Sequence, residues 1–504
     1  MDQATTFPAA RTRPLAGTAL RGMAWMTWVV LVAKLSGFGA QWALGILLSP
    51  ADFGVFALVT VTQNFIEGFR DIGASRILVQ QGRHYDRLAR PILKLSLAAN
   101  AIAIFLLVGG APAFAHYYSE PQLLWLIPIS AIAIPWTTAA VVYKAKASRD
   151  LNYPLVGKIE SAIPLIQNAL MVLMAWLGFG VMSFVVPFAL TACFQMIAYR
   201  RAVGPLPPGA QLNRALFWEI FHQSKWLMIG AYGMGLVLRG DYLVLGRLFD
   251  DKASLGIYYF GFQLAASLGV LFTSGLQNVL MPAFSALAEE PARMRRAFVR
   301  SCRMLLIVAT LIAGLFIAVC PELLQLLWRG KWNAAALVAI AMAASLPFKL
   351  LAPVGTSMVE ALGRWRRRTE MLLLDGVLVC VAAAIGAYQG GVTGAAVAIA
   401  IQRIVMGLGQ SWIAAHSIGM GGFATTSLFS RGLFPFVAGL ALLALQPDLV
   451  FSASPDLFPM LRSALLKIAL FSAGWLVAAL CVNRDALDDV KSLIHQKLSS
   501  RLRA

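Results

Sequence analysis

Charged residues are scarce in this chain. Asp, Glu, Lys and Arg make up 13% of its 504 residues, whereas soluble domains carry about 25%. This balance excludes an ordinary soluble protein. Histidine and cysteine are also few, with five of each, and they stand singly, without CxxC, HExxH or mixed Cys/His spacings. The sequence therefore gives no support to a disulfide framework or a metal site.

Several enzyme signatures are missing as well. No GxxxxGK[ST] phosphate loop occurs, so the chain is not expected to hydrolyse ATP itself. No cofactor motif is present, and no cofactor is predicted. The polar connections between apolar runs are short, which leaves no room for a catalytic domain on either side of a membrane. These absences favour a transporter over a membrane enzyme.

Long apolar runs make up most of the chain. The chain is 59% hydrophobic and its mean hydropathy is +0.73, and runs long enough to cross about 30 Å of hydrocarbon recur from end to end. We predict an all-α polytopic membrane protein of about 14 transmembrane helices. The predicted spans are 23–48, 53–80, 91–113, 122–143, 155–177, 181–199, 225–248, 255–284, 302–320, 334–358, 370–388, 392–415, 433–446 and 461–482.

The basic residues orient these spans. The net charge is +19, and Lys and Arg collect in alternate connections rather than in one patch, which predicts membrane topology and not nucleic-acid binding. By the positive-inside rule, the basic connections and both termini are cytoplasmic. One connection, PELLQLLWRGKW, breaks the rule because it carries Arg329 and Lys331 on the predicted outer side.

A short internal repeat suggests two lobes. GILLSPADFGVFALV (45–59) aligns with GRLFDDKASLGIYYFG (246–261), an offset of six spans. Because six is even, both copies enter the membrane from the same side, as in parallel transporter repeats with a pseudo-two-fold axis along the membrane normal. We divide the chain into six parts. A cytoplasmic leader (1–22) precedes the N-terminal six-helix lobe (23–201), and a cytoplasmic linker with an interfacial helix (202–221) joins it to the C-terminal six-helix lobe (222–415). Two extra transmembrane helices (416–482) and an amphipathic cytoplasmic tail (483–504) follow.

Ionisable residues lie inside several predicted spans. In NFIEGFRDIGASR, Glu67, Arg70 and Asp71 fall on one helical stripe with Thr60, Gln63 and Asn64, within an arc of about 120°. A charge exposed to lipid at the membrane centre costs from about 2.5 kcal/mol upward, so this stripe must face protein or water.

Deep cations outnumber deep acids, which favours an anionic ligand. The alternative is that the charges form internal ion pairs that lock helices together, and Asp375, nearer the cytoplasmic end, would reduce the excess if counted. The predicted substrate-binding cations are Lys34, Arg70, Arg239, Lys349 and Arg403; the predicted polar lining is Gln41, Gln63, Asn64 and Tyr232; the candidates for ion coupling are Glu67, Asp71 and Asp241.

Several segments resemble polysaccharide flippases of the multidrug/oligosaccharidyl-lipid/polysaccharide exporter superfamily. The resemblance rests on LLSPADFGVFALV, FRDIGASRILVQQ, GDYLVLGRLFDDKASLGIYYFG and VEALGRWRRR, and it covers nearly the whole chain in order and spacing. It implies two six-helix lobes with the last two helices outside them. It also implies a cationic central cavity, and movement of an undecaprenyl-diphosphate-linked oligosaccharide from the cytoplasmic to the periplasmic leaflet of a bacterial inner membrane for exopolysaccharide or O-antigen export.

The expected partners follow from that resemblance. They are the lipid-linked oligosaccharide, membrane lipid, and a polysaccharide polymerase and export complex, with no nucleic acid. There are three alternatives. One is a drug/cation antiporter of the same superfamily, which would require an acidic cavity. The others are a membrane glycosyltransferase or ligase, and a scaffold of polysaccharide assembly.

Overall fold

A computed structural model describes residues 32–70, 85–150, 152–208, 214–445 and 457–484. These residues form helices and short connections, with no strand among them. Helices suit the apolar runs because, in lipid, every backbone N–H and C=O must find its partner within the segment. The predicted leader 1–22 and most of the predicted tail lie outside the described residues.

Each of the fourteen predicted spans corresponds to a described helix. Nine helical stretches in the described part of the chain are long and apolar enough to cross a membrane. The helices are α1 (32–47), α2 (Pro50–Arg70), α3 (Tyr85–Tyr117), α4 (Leu123–Arg149), α5 (Tyr153–Trp176), α6 (Met182–Val203), α7 (Arg214–Leu248), α8 (Lys252–Ala286), α9 (Pro291–Trp328), α10 (Asn333–Ala361), α11 (365–389), α12 (392–417), α13 (Gly422–Ala444) and α14 (Leu457–Val482).

Three helices, α7, α9 and α13, begin about eleven residues before their predicted spans, and α9 begins at Pro291 rather than at 302. The helix α13 begins at Gly422 rather than near 433, because Thr425 and Thr426 donate their hydroxyls to Gly421 and Gly422 carbonyls and so remain compatible with a helix. The polar segment before span seven is part of α7, which runs unbroken from Arg214. The helices α11 and α12 are separated only at Gly390 and Gly391, where Gly391 adopts a φ of +57° that other residues rarely tolerate.

The helices pack as two lobes and a C-terminal pair. In the N-terminal lobe, α4 and α5 both pack on α6, and α2 packs on α3 and α4; in the C-terminal lobe, α10 packs on α8, α9 and α11–α12, and α7 packs on α11–α12. The helix α2 contacts α7 and α8 across the lobes. The pair α13 and α14 packs on α9, outside the lobe interface.

The predicted repeat is visible in how α2 and α8 begin. Ser49 and Asp52 cap α2, with the Ser49 N–H and hydroxyl donating to the Asp52 carboxylate at 2.8 and 2.6 Å. At an offset of 202 residues the same two positions hold Asp251 and Ser254 with their roles exchanged, and the Ser254 hydroxyl donates to Asp251 at 3.3 Å. Side-chain caps of this kind satisfy orphan N–H groups at helix starts.

The same offset relates two glycines at which the lobes meet. A Cβ added to Gly54 would overlap the Lys252 carbonyl oxygen, and one added to Gly256 would overlap the Pro50 carbonyl oxygen. Each lobe therefore presents the same surface to the other, as in an isologous two-fold contact. The backbones of α2 and α8 touch because neither helix has a side chain at this position.

A buried ion pair attaches α14 to α9. The Lys467 ammonium group contacts Glu322 Oε1, and the Ser463 hydroxyl donates to the same oxygen at 2.9 Å. Lys467 is 0% exposed and Glu322 is 3% exposed. Nearby, the Phe471 ring fills a notch that exists because positions 314 on α9 and 439 on α13 are glycine.

Candidate functional site

Four of the predicted site residues meet inside the C-terminal lobe. Arg239 and Asp241 come from α7, Lys349 from α10 and Arg403 from α12. Asp241 lies close enough to Arg239, Lys349 and Arg403 to interact electrostatically with each of them. We call these four residues the C-lobe charge cluster. It contains three cations and one acid.

The acid of the cluster is sealed from solvent. Asp241 is 1% exposed, and its carboxylate accepts a hydrogen bond from the Tyr258 hydroxyl at 2.8 Å and one from the Tyr242 N–H at 2.9 Å. The three cations are only half-buried. The acid of the cluster is therefore more deeply buried than its three cations.

Aromatic rings hold the cations in place. The Arg403 guanidinium carbon lies 4.6 Å from the centroid of the Phe262 ring, and the Lys349 ammonium lies 5.8 Å from the same centroid. Arg239 lies 5.6 Å above Tyr242. A ring face attracts a cation without neutralising it, so these contacts orient the cations and keep their positive charge.

A second acid lies next to the cluster. The Asp375 carboxylate on α11 accepts hydrogen bonds from Gln402 Nε2 at 2.7 Å and Gln410 Nε2 at 3.2 Å, and it interacts electrostatically with Arg403. The neighbouring Gln402 Oε1 is buried and accepts no hydrogen bond from any described residue. With Asp375 included, the local excess of cations is one.

The other predicted site residues are not part of the C-lobe charge cluster. Lys34 is exposed on α1, and Gln41 (α1), Gln63 (α2) and Tyr232 (α7) are half-buried. Thr60 is buried, and its hydroxyl donates to the Ala57 carbonyl at 2.7 Å. The side chains of Asn64, Glu67 and Arg70, and the whole of Asp71, lie outside the described residues.

Sequence reasoning missed a polar network in the N-terminal lobe. Glu160 on α5 accepts hydrogen bonds from the Tyr199 hydroxyl at 2.8 Å and from Gln195 Nε2 at 3.2 Å, and it pairs with Lys144 at 3.1 Å. It also missed the pair of Glu322 and Lys467. A lysine within the apolar span 461–482 and a glutamate within 155–177 were the available signals, since charged residues inside spans require partners.

Comparison with known proteins decides the family. A family model described as polysaccharide biosynthesis protein matches residues 43–337, which is more than half of the chain. The chain belongs to this polysaccharide biosynthesis protein family. The succinoglycan biosynthesis transport protein ExoT of Rhizobium meliloti (strain 1021) is 23% identical to it over 438 residues, covering 84% of this chain and 85% of ExoT.

A second relative and two solved structures agree with this family. The teichuronic acid biosynthesis protein TuaB of Bacillus subtilis (strain 168) is 21% identical over 301 residues, covering 58% of this chain and 61% of TuaB. The structure of the lipid II flippase MurJ in an inward closed conformation matches with a TM-score of 0.71 at 12% identity, covering 92% of this chain and 99% of MurJ. The Vibrio cholerae MATE transporter VcmN matches with a TM-score of 0.55 at 14% identity, covering 80% and 96%.

These matches confirm the coarse predictions. The family and the transport-protein relative identify a polysaccharide transporter rather than an enzyme. The two structural likenesses show the fold, that of an all-α membrane protein.

Proposed function

We propose that this polysaccharide transporter moves an undecaprenyl-diphosphate-linked oligosaccharide from the cytoplasmic to the periplasmic leaflet of a bacterial inner membrane. The C-lobe charge cluster would bind the diphosphate. The sugar would occupy the hydrated space between the lobes while the polyprenyl chain stays in lipid. Rocking of the lobes would then expose the same cavity to the other side, as in other transporters built from repeats.

The observation that supports this substrate is the arrangement of charges in the cluster. Arg239, Lys349 and Arg403 converge from three different helices on one half-buried site. Like charges gathered in this way repel one another, and Asp241 and Asp375 offset only part of that repulsion, so a bound anion would relieve the remainder. Arginine matches phosphate oxygens with paired N–H donors, and lysine adds a point charge.

The buried acid explains how the cluster persists when empty. The buried Asp241 carboxylate offsets part of the positive charge. Its two hydrogen-bond donors, the Tyr258 hydroxyl and the Tyr242 N–H, keep it oriented. A drug/cation antiporter would instead need an acidic accessible face, and here the acid is 1% exposed. Asp241, Glu67 and Asp71 stay candidates for coupling transport to an ion.

Removal of the cluster cations tests the proposal. We expect Arg239→Ala and Arg403→Ala each to reduce glycan export by about 10-fold to 100-fold, because a hydrogen bond to a charged group contributes roughly 1.5–3 kcal/mol. The measurement is the amount of exported glycan, and of lipid-linked sugar held on the inner leaflet, in a deletion strain complemented with each variant at equal protein level.

The matched control is Arg366→Ala. Arg366 has a side chain that is 94% exposed and pairs with Glu370 at the predicted cytoplasmic surface, so its removal should leave export unchanged. Arg403→Lys, which keeps the charge but loses the paired donors, should retain part of the activity. Normal export by both alanine variants would show that the cluster does not bind the substrate.

A further inference from the structure

The exception to the positive-inside rule lies at the contact between the lobes. The last residue of α9, Trp328, and the connection to α10, which holds Arg329, Gly330, Lys331 and Trp332, form a segment that we call the Trp arm. It belongs to the C-terminal lobe, yet the side chains of Trp328, Lys331 and Trp332 bond to the end of α1 in the N-terminal lobe. The end of the molecule where it lies also holds the start of α2 and of α8, and we call it the predicted outer end.

The Trp arm bonds to the carboxyl end of α1. The indole N–H of Trp328 donates to the Trp42 carbonyl at 3.0 Å, and that of Trp332 donates to the Gly45 carbonyl at 2.9 Å. The Lys331 ammonium donates to the Ile46 carbonyl at 2.9 Å and to the Leu48 carbonyl at 2.6 Å.

The carbonyls of Gly45, Ile46 and Leu48 are groups that the end of α1 leaves unsatisfied, whereas Trp42 lies one turn inside the helix. The last four carbonyls of an α-helix have no partner within the helix, and the helix dipole makes this end negative. A lysine from the other lobe satisfies two of them and supplies the complementary charge. The positive charge on the predicted outer side is thus matched to the end of α1.

An aromatic box surrounds these bonds. Phe53 of α2 meets Trp332 edge to face at a centroid distance of 5.1 Å and Phe260 of α8 at 5.5 Å, while Phe260 and Trp332 stack at 3.8 Å. Trp332 is 0% exposed, whereas Lys331 is exposed. Opening would return Lys331 to water at little expense, but it would uncover the α1 carbonyls and the face of Trp332.

The pseudo-two-fold counterpart of the Trp arm is much weaker. Tyr118, in the connection between α3 and α4 of the N-terminal lobe, reaches the carboxyl end of α7, where its hydroxyl lies 3.4 Å from the Leu243 carbonyl. Beside it, Arg247 lies 5.7 Å above Tyr117. One long hydrogen bond thus stands opposite four short ones, so the interaction between the lobes is asymmetric.

We propose that the Trp arm is the latch of the outer gate, holding the lobes together at the predicted outer end by capping α1, and that it must release before the cavity opens outward. The proposal rests on the transport function proposed above and adds the residues that set the balance between the two states. Lys331 and Trp332 stabilise the closed state without touching the substrate cluster.

Distances between spin labels test the latch without any glycan. Labels on Phe179→Cys and Tyr388→Cys report the separation of the lobes, since these exposed residues lie at the predicted outer end of the N-terminal and C-terminal lobes, 50% and 91% exposed. The background replaces the accessible cysteines Cys193, Cys380 and Cys481 with alanine, and the protein is measured as the full chain in lipid nanodiscs.

We expect Lys331→Met and Trp332→Phe each to raise the ratio of long to short label distances about 10-fold or more, since each variant loses a capping donor. Arg329→Met is the matched control, because Arg329 lies in the same arm and makes no hydrogen bond or ion pair with a described residue. Tyr118→Phe should change the ratio by less than about 3-fold, since it removes one long hydrogen bond.

Two results would overturn the latch. One is an unchanged distance distribution in both Lys331→Met and Trp332→Phe; the other is an equal shift in Arg329→Met, which would point to a general effect of charge. Thermal stability of each variant shows whether it is folded. The labels respond to lobe separation alone, so the distance measurement tests the latch even if the proposed substrate is wrong. Likewise, the export assay of the cluster variants tests the substrate proposal even if the Trp arm is not a latch.

Discussion

Gly256→Ala is expected to prevent closure of the predicted outer end and to abolish export. The added methyl group would overlap the Pro50 carbonyl oxygen, and Gly54→Ala would overlap the Lys252 carbonyl oxygen in the same way. Both obstacles are backbone atoms, so no side-chain rotation relieves the overlap and the helices α2 and α8 must move apart. Overpacking of this kind costs about 3 kcal/mol or more when the structure cannot adapt, which corresponds to a change of at least about 100-fold in the ratio of closed to open molecules.

The label distances described for the latch and the glycan export assay both measure this effect. Gly109→Ala is the control, because Gly109 lies in the helix α3 with no atom near its added Cβ. That substitution should be neutral or slightly stabilising, since alanine favours helix over glycine. Normal export by Gly54→Ala and Gly256→Ala would show that the two backbones need not touch during transport.

Lys467→Met is expected to destabilise the protein more than any single substitution at an exposed ion pair. It leaves Glu322 as an uncompensated charge that is 3% exposed, and breaking a buried pair from one side costs about 3–5 kcal/mol. We expect the melting temperature in detergent to fall by roughly 3–5 °C. The helix α14 should loosen first, because this pair and the Phe471 notch join it to α9.

The double variant Lys467→Met with Glu322→Gln separates charge from packing. A neutral glutamine can still accept the Ser463 hydroxyl, and replacement of a buried pair by neutral groups is often close to neutral in stability. We therefore expect most of the lost melting temperature to return. Arg366→Ala, which breaks an exposed pair, should leave the melting temperature unchanged. A Lys467→Met protein as stable as the original would contradict an ionic role for this contact.

Much of the architecture could be read from the sequence. Hydropathy is a property of contiguous residues, so a span can be recognised without knowledge of its neighbours. The short match between 45–59 and 246–261 indicated the repeat, and the structure shows it in the exchanged caps of Ser49 and Asp52 against Asp251 and Ser254. The resemblance to polysaccharide flippases likewise depended on local segments.

The candidate site was only partly accessible in this way. An ionisable residue within an apolar span must find a partner or water, and this singled out Arg239, Asp241, Lys349 and Arg403 one at a time. Their convergence depends on how α7, α10 and α12 cross one another and on how each is rotated about its axis. The local sequence of a helix does not specify this packing. Phe262, the ring shared by two of the cations, had no signal of its own in a sequence rich in phenylalanine.

The sequence by itself determined that this protein crosses a membrane many times, that its two halves repeat, and that cations lie inside its helices, because length, apolarity and charge are local. Only the tertiary structure decided which charges meet. It also decided what the one misplaced basic connection does, since Lys331 and the end of α1 lie far apart in the chain and meet only when the two lobes close.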